Sequence, residues 1–342
     1  MTSPRLLWID LAKGATVTSV LVMHSFAFAI TLTGTSSPAA EKVLWLLELM
    51  NMPVMFLLAG LLSAGALEHR PGRFVTTRLR GVVWPLVIWF GLSVVLDTTL
   101  GGENALNQSP DPAQSAFWFL VVLAGVSGLA VLVRRLPATP VAVVAVVVAM
   151  LLGAVDGPRH LFTDFGTPVA IRYGFAACYF VGIAIARSER WSIGSVATFR
   201  TAGLACSGLV AFIAVLFVAG VPGRLISESI ATVPTMLALS VAQLAVFAVL
   251  PRIRVLEWLG EHSIVVYVMH VVVFQHIVGG LVGAGLSPWT AATIAVVVMM
   301  VLVVVTSWLR ERQPAIAALF TFPDRARRST PEHATRAVAP VR

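Results

Sequence analysis

The sequence predicts an all-α, polytopic integral membrane protein of about ten transmembrane helices, with N and C termini cytoplasmic. Three observations predict it. Of 342 residues, 58% are hydrophobic and only 12% charged, with a mean hydropathy of +0.90, too little polar surface for a water-soluble body of this size. The apolar stretches are continuous for roughly 17 residues or more, as a helix crossing a ~30 Å hydrocarbon layer requires, whereas barrel strands would alternate over about ten. Finally, the basic residues fall on alternate loops.

Apolar windows place the helices at roughly 7–31, 43–66, 82–100, 115–133, 140–156, 168–186, 200–220, 229–250, 262–282 and 289–309. Turn-rich stretches separate them, including Gly101-Gly102, Ser109 to Pro112, Asp156 to Pro158 and Val221 to Gly223. With the N-terminus inside, 20 of the 24 Lys and Arg residues fall on the cytoplasmic side, leaving Lys42, Arg159, Arg172 and Arg224 outside. That asymmetry is the one the positive-inside rule demands and fits the inner (plasma) membrane. Trp8, Trp84, Trp191, Trp258 and Trp308 fall near inner ends and Trp45, Trp118 and Trp289 near outer ends, where amphipathic rings sit at the interface. The first run follows Arg5 but carries Asp10 and Lys13 and lacks a clear cleavage site, so it reads as a retained helix rather than a secretory signal. A transmembrane domain is thus expected over 1–310 and a basic, disordered cytoplasmic tail over 311–342.

The net charge of +8 is distributed for a bilayer, not for nucleic acid. Cys178 and Cys206 lie singly inside apolar stretches, which excludes a disulfide framework or a Cys-based zinc site. Walker, Gly-x-Ser-x-Gly, HExxH and Gly-x-Gly-x-x-Gly signatures are absent, so the chain alone does not pump with ATP. No permanently bound cofactor or metal is expected. Homo-oligomerisation stays open, since lipid-facing and subunit-facing helix surfaces share a composition.

Ionisable groups inside a span cost about 2.5 to 3.5 kcal/mol and need a partner, a wet cavity or a chemical role. The first helix holds Asp10, Lys13 and His24. Lys13 and His24 are eleven residues apart, on one face and roughly 16 Å from each other along the axis. Asp10, one turn from Lys13, offers it an ion pair at headgroup level. His24 lies deep, where a neutral imidazole can serve as a general base or simply hydrogen-bond to a neighbour. On the second helix Glu48 and Asn51 are one turn apart, ahead of Pro53; Glu48 can orient the histidine or sit at the headgroups. Ser263, Tyr267, His270 and Phe274 share a face of the ninth helix, as interhelical hydrogen-bonding groups or as a substrate lining. Arg172 of the sixth can snorkel, bind an acceptor or pair with Glu48. Gly279 and Gly283 form a GxxxG, a weak indication of helix contact.

The run from Arg5 through Asp10 and Lys13-Gly14 to His24 resembles the opening signature of the acyltransferase 3 family, nearest its fucose 4-O-acetylase branch. Further elements follow in the family's order. Asn51 to Gly60 is similar to its MPxFFxxSG segment, Arg78 and Arg80 with Pro85 to its basic loop, and Phe117 to Leu120, containing Trp118, to its WFL element. Leu259-Gly260 through Ser263 and Tyr267 to His270 is similar to its LGxxSxxxYxxH helix. Ala59 replaces the family's Ser, and Thr77 stands where a second basic residue would complete RxxR.

The resemblance implies transfer of an acyl group, usually acetyl, from cytoplasmic acyl-CoA as donor substrate to a hydroxyl of a saccharide or glycolipid. Under it, Arg73, Arg78 and Arg80, with Lys13, meet the CoA phosphates. His24 acts as base or as an acylated nucleophile, with Glu48 or Asn51 orienting it. Tyr267 and His270 line the passage or stabilise the oxyanion, and Trp118 and Arg172 contact substrate. A proton-coupled transporter or flippase of a saccharide or lipid-linked solute is the alternative reading of the same buried groups.

Overall fold

The computed structural model describes residues 7–34, 38–100, 117–155, 169–188 and 232–323. It is about 90% helical, with no strand among the described residues. The helices are α1 (Leu7–Thr33), α2 (Pro38–His69), α3 (Pro71–Arg78), α4 (Trp84–Leu100), α5 (Trp118–Val133), α6 (Ala138–Val155) and α7 (Val169–Arg187). From residue 232 the described helices are α8 (Thr232–Val249), α9 (Arg254–Glu261), α10 (Ser263–Met269), α11 (Gln275–Gly283), α12 (Pro288–Arg312) and α13 (Pro314–Ala318). Among the described residues, four stretches are long and apolar enough to cross a bilayer: Leu7–Thr31, Met50–His69, Pro71–Leu96 and Pro288–Arg312. The pair Ser263–Met269 and Val272–Gly283, bent by 42°, makes a fifth if it counts as one span. Shorter apolar helices lie at Trp118–Val133, Ala138–Leu152, Gly174–Arg187 and Val233–Val249. The expected span at 200–220 lies outside the described residues.

The chain is a multi-pass membrane protein, and its packing has the corresponding polarity. In α12 the buried stripe is Ala291, Ala295, Met299 and Val303, whereas Val297, Val301, Val304 and Trp308 face outward. Small residues turn inward because lipid tails are as apolar as the bundle, and close backbone approach supplies the contact. Hydroxyls inside the spans bond back to their own helix, as Thr16 Oγ1 does to the Ala12 carbonyl and Ser240 Oγ to that of Met236.

Two crossings depend on glycine. A Cβ on Gly14 of α1 would strike the Leu256 carbonyl of α9, and one on Gly260 would strike the Asp10 carbonyl. On α2, Gly60 meets the Tyr179 carbonyl of α7 in the same way, and Gly182 meets that of Leu57. These backbone contacts fix α1 to α9 and α2 to α7. By contrast, among the described residues nothing lies within 4 Å of a Cβ built on Gly279 or Gly283, so that GxxxG brings no described backbone close.

Two π-helical turns interrupt the regular ladder. The first, Leu79–Val83, joins α3 to α4, and Trp84 N–H bonds the Leu79 carbonyl. Pro85 accounts for it, because a proline cannot donate to the carbonyl four residues back and crowds it. The second, His270–Phe274, joins α10 to α11 and begins at a predicted site residue.

The basic tail expected from residue 311 opens as packed structure. After α13 the chain folds back on α4: the indole N–H groups of Trp84 and Trp89 donate to the carbonyls of Ala318 (2.7 Å) and Leu319 (3.0 Å). Phe320 is buried against Trp89, Phe322 meets the Trp84 ring edge-on, and the Phe322 amide donates to the Arg80 carbonyl. Residues 324–342 lie outside the described residues.

Candidate active site

His24 projects from the middle of α1 and meets His270, with ring centroids 5.0 Å apart and planes tilted by 37°. The Nδ1 of His270 lies 3.3 Å from the Val266 carbonyl one turn earlier. A carbonyl can only accept, so this bond puts the proton on Nδ1 and leaves a lone pair on Nε2. The π-helical turn starts here, and such turns redirect side chains at functional sites. Tyr267 packs edge-on against His270 at 5.4 Å and, tilted, against Phe119 of α5 at 5.1 Å. The structure thus unites three residues that the sequence places on two distant helices.

An aromatic stack continues from this group. Phe119 meets Phe56 of α2 at 4.9 Å, and Phe56 lies parallel to Phe175 of α7, with Trp118 stacked beside both. Trp118 is therefore a member of this stack, half-buried inside the bundle. Asn51, less than two turns from Phe56, is buried, and its Nδ2 has no hydrogen-bond partner among the described residues. An amide donor left unmet in an apolar interior costs on the order of 1–3 kcal/mol, so it is a ready partner for a substrate oxygen.

The basic end approaches the same stack through α2. Arg78 bonds the Ser63 hydroxyl and the Ala59 carbonyl, and its guanidinium lies over the Phe74 ring at 5.1 Å. Ala59 is three residues from Phe56, so the arginine and the aromatic stack are linked by one turn of helix. Arg80 is half-buried on the π-helical turn, whose carbonyl the returning C-terminal segment holds.

Asp10 and Lys13 form the expected ion pair at 2.9 Å. Both sit at the α1–α9 crossing, near a second pair in which Arg252 donates two hydrogen bonds to Glu257. Those bonds hold the Glu257 carboxyl below the usual carboxylate range, and Asp10 opposes them weakly. His262 stacks on Trp258 at 4.3 Å and turns Nε2 toward Glu311, tying the start of α10 to the end of α12. Glu48 and Arg172 lie on α2 and α7, but their side chains are outside the described residues. No cluster that could hold a metal occurs among the described residues.

Paired imidazoles within an apolar bundle, linked by aromatic contacts to a cationic end, make a membrane-embedded site able to move a proton and bind an anionic substrate. The family model for the acyltransferase 3 family, described as an acyltransferase domain, matches residues 6–308. The chain belongs to that family and is a membrane acyltransferase. No curated protein matches the chain, and no solved structure does.

The packing glycines are what sequence reasoning missed. Gly14, Gly60 and Gly260 all fall within the family-like segments, beside the chemical residues, yet their role is close helix approach. Their neighbours lie far away in the chain, so no local spacing could reveal them.

Proposed function

We propose that the chain transfers an acyl group, acetyl foremost, from cytoplasmic acyl-CoA to a hydroxyl of a cell-envelope saccharide or glycolipid at the inner membrane. The observation that carries this reading is the 5.0 Å approach of His24 to His270 in a chain of the acyltransferase 3 family. In the proposed reaction His24 takes the proton of the acceptor hydroxyl as that oxygen bonds to the thioester carbonyl carbon. The C–S bond then breaks, and the leaving CoA sulfur takes the proton from the imidazolium. Free acyl-CoA is the donor substrate, and no resident cofactor takes part.

Neighbouring groups have matching tasks. His270, with its proton fixed on Nδ1, offers Nε2 to orient His24 or to share its positive charge. Tyr267 bounds the reacting volume, and the Asn51 amide is suited to hydrogen-bond substrate oxygen. Glu48 is assigned to balancing the imidazolium and Arg172 to the acceptor. Arg78 and Arg80 bind CoA phosphates, for which a planar guanidinium fork is well shaped. Lys13 supports that end as half of an ion pair.

The test supplies radiolabelled acetyl-CoA and an envelope glycolipid and polysaccharide extract to the purified, detergent-solubilised protein. Label in a saccharide ester is the expected result. Absence of label from folded protein that instead accumulates a solute in a proton gradient would replace the enzyme reading with a carrier.

A further inference from the structure

Ser63 is a buried hydroxyl, 1% exposed, on a stretch of α2 where Leu61, Ala64 and Leu67 are buried as well. The proposed transfer gives it no task. A hydroxyl in such surroundings is unfavourable unless its hydrogen bonds are made. Its Oγ bonds two groups, the Ala59 carbonyl one turn back and Nη2 of Arg78. Valence fixes the direction of both bonds. A guanidinium only donates and a carbonyl only accepts, so the Ser63 proton goes to Ala59 and an oxygen lone pair faces Arg78. Thr16 and Ser240 make the first kind of bond, back to their own helix. Ser63 adds the second, to a cation on the next helix.

The hydroxyl stands on a fixed support. Three residues before it, Gly60 meets the Tyr179 carbonyl, and Gly182 meets that of Leu57, so the backbones of α2 and α7 touch at this level. Ala59, whose carbonyl Arg78 Nη2 also reaches, belongs to the same turn. From α3 the Phe74 ring lies under the guanidinium at 5.1 Å. Two helices therefore hold Arg78. Of its five donors, the two on Nη2 go to Ser63 and Ala59, which leaves those on Nε and Nη1 to take a phosphate.

We infer that Ser63 is a positioning residue for the acyl donor: its lone pair fixes Arg78, and through Arg78 the donor phosphate, at a set place beside the α2–α7 crossing. A ligand group held in its binding geometry loses less freedom when the substrate arrives, so the hydroxyl serves donor affinity. The inference rests on the reading of Arg78 as a ligand of the acyl-CoA phosphates.

Equilibrium binding of radiolabelled acetyl-CoA to the full-length protein in detergent tests it, with thermal unfolding of each variant measured alongside. Ser63→Ala should raise Kd about fivefold, through the loss of one hydrogen bond to a charged group, while unfolding like wild type. Ser63→Thr, which keeps the hydroxyl and its bond to Ala59, should bind like wild type. Should Ser63→Ala fail to fold, Ser63→Cys, of similar shape but a weak acceptor, must weaken binding in its place. In an Arg78→Gln background, Ser63→Ala should add nothing, because its effect passes through the arginine. Arg78→Gln protein that binds acetyl-CoA like wild type overturns the reading of Arg78 and this inference with it. Weak binding by Arg78→Gln beside unchanged binding by Ser63→Ala overturns the inference alone. So does a Ser63→Ala loss that Ser63→Thr shares, or one that persists undiminished in the Arg78→Gln background.

Discussion

The imidazoles of His24 and His270 stand 5.0 Å apart, one from the first helix and the other from a π-helical turn near the far end of the sequence. If this pair handles the proton of the acceptor hydroxyl, the two positions contribute unequally. His24→Ala should abolish transfer, whereas His270→Ala should lower kcat by about 10²- to 10⁴-fold, the usual worth of acid–base assistance. Steady-state kinetics on protein matched for membrane abundance decides. Equal, near-wild-type turnover in both variants would remove the pair from the chemistry.

Arg78 is expected to act on the donor. Arg78→Lys keeps the charge but loses the planar guanidinium, whose Nη2 bonds Ser63 and Ala59 and whose remaining donors suit a phosphate. KM for acetyl-CoA should rise about tenfold or more with a smaller change in KM for the acceptor. A rise confined to the acceptor would place Arg78 on the wrong substrate.

The α1–α9 crossing should tolerate no side chain. Gly260→Ala drives a methyl group into the Asp10 carbonyl, and overpacking of this kind costs about 1–3 kcal/mol. Thermal unfolding in detergent should show a clear loss of stability. Gly279→Ala, where the space is open, should unfold like wild type.

The returning segment should stabilise the π-helical turn that carries Arg80. Phe320→Ala removes a buried ring from Trp89, worth about 3–5 kcal/mol, while Trp84→Phe deletes one hydrogen bond, worth about 1 kcal/mol. Thermal unfolding should rank the variants in that order. An unaltered Phe320→Ala protein would mean that the segment does not dock in solution.

Acid should weaken the end of the bundle where α1 crosses α9. Arg252 holds Glu257 below the ordinary carboxylate range, so the pair's contribution to stability is full above about pH 4.3 and is lost as pH falls through the lowered folded value. Unfolding measured across that range should show a smaller acid dependence for Glu257→Gln than for wild type. An identical dependence would assign the acid sensitivity to other groups.

Much of this molecule is readable from composition and from polar residues out of place. Asp10 with Lys13, and His24 with Tyr267 and His270, stand out because charge and imidazole are rare where lipid surrounds the chain, and the structure joins each set. The close contacts at Gly14 and Gly60 do not stand out, because glycine carries no signal of which distant backbone will pass beside it. The glycine pair singled out for its spacing, Gly279 and Gly283, faces open space among the described residues. Trp84 reads as an interfacial ring, but its indole N–H is held by Ala318, as that of Trp89 is by Leu319. That docking depends on long-range geometry that hydropathy does not encode.

The most direct test follows radiolabelled acetyl-CoA into envelope saccharide with wild type and His24→Ala protein side by side, each at equal folded abundance. The account predicts labelled ester from wild type and none from the variant. Ester formed by His24→Ala at a rate near that of wild type would contradict it.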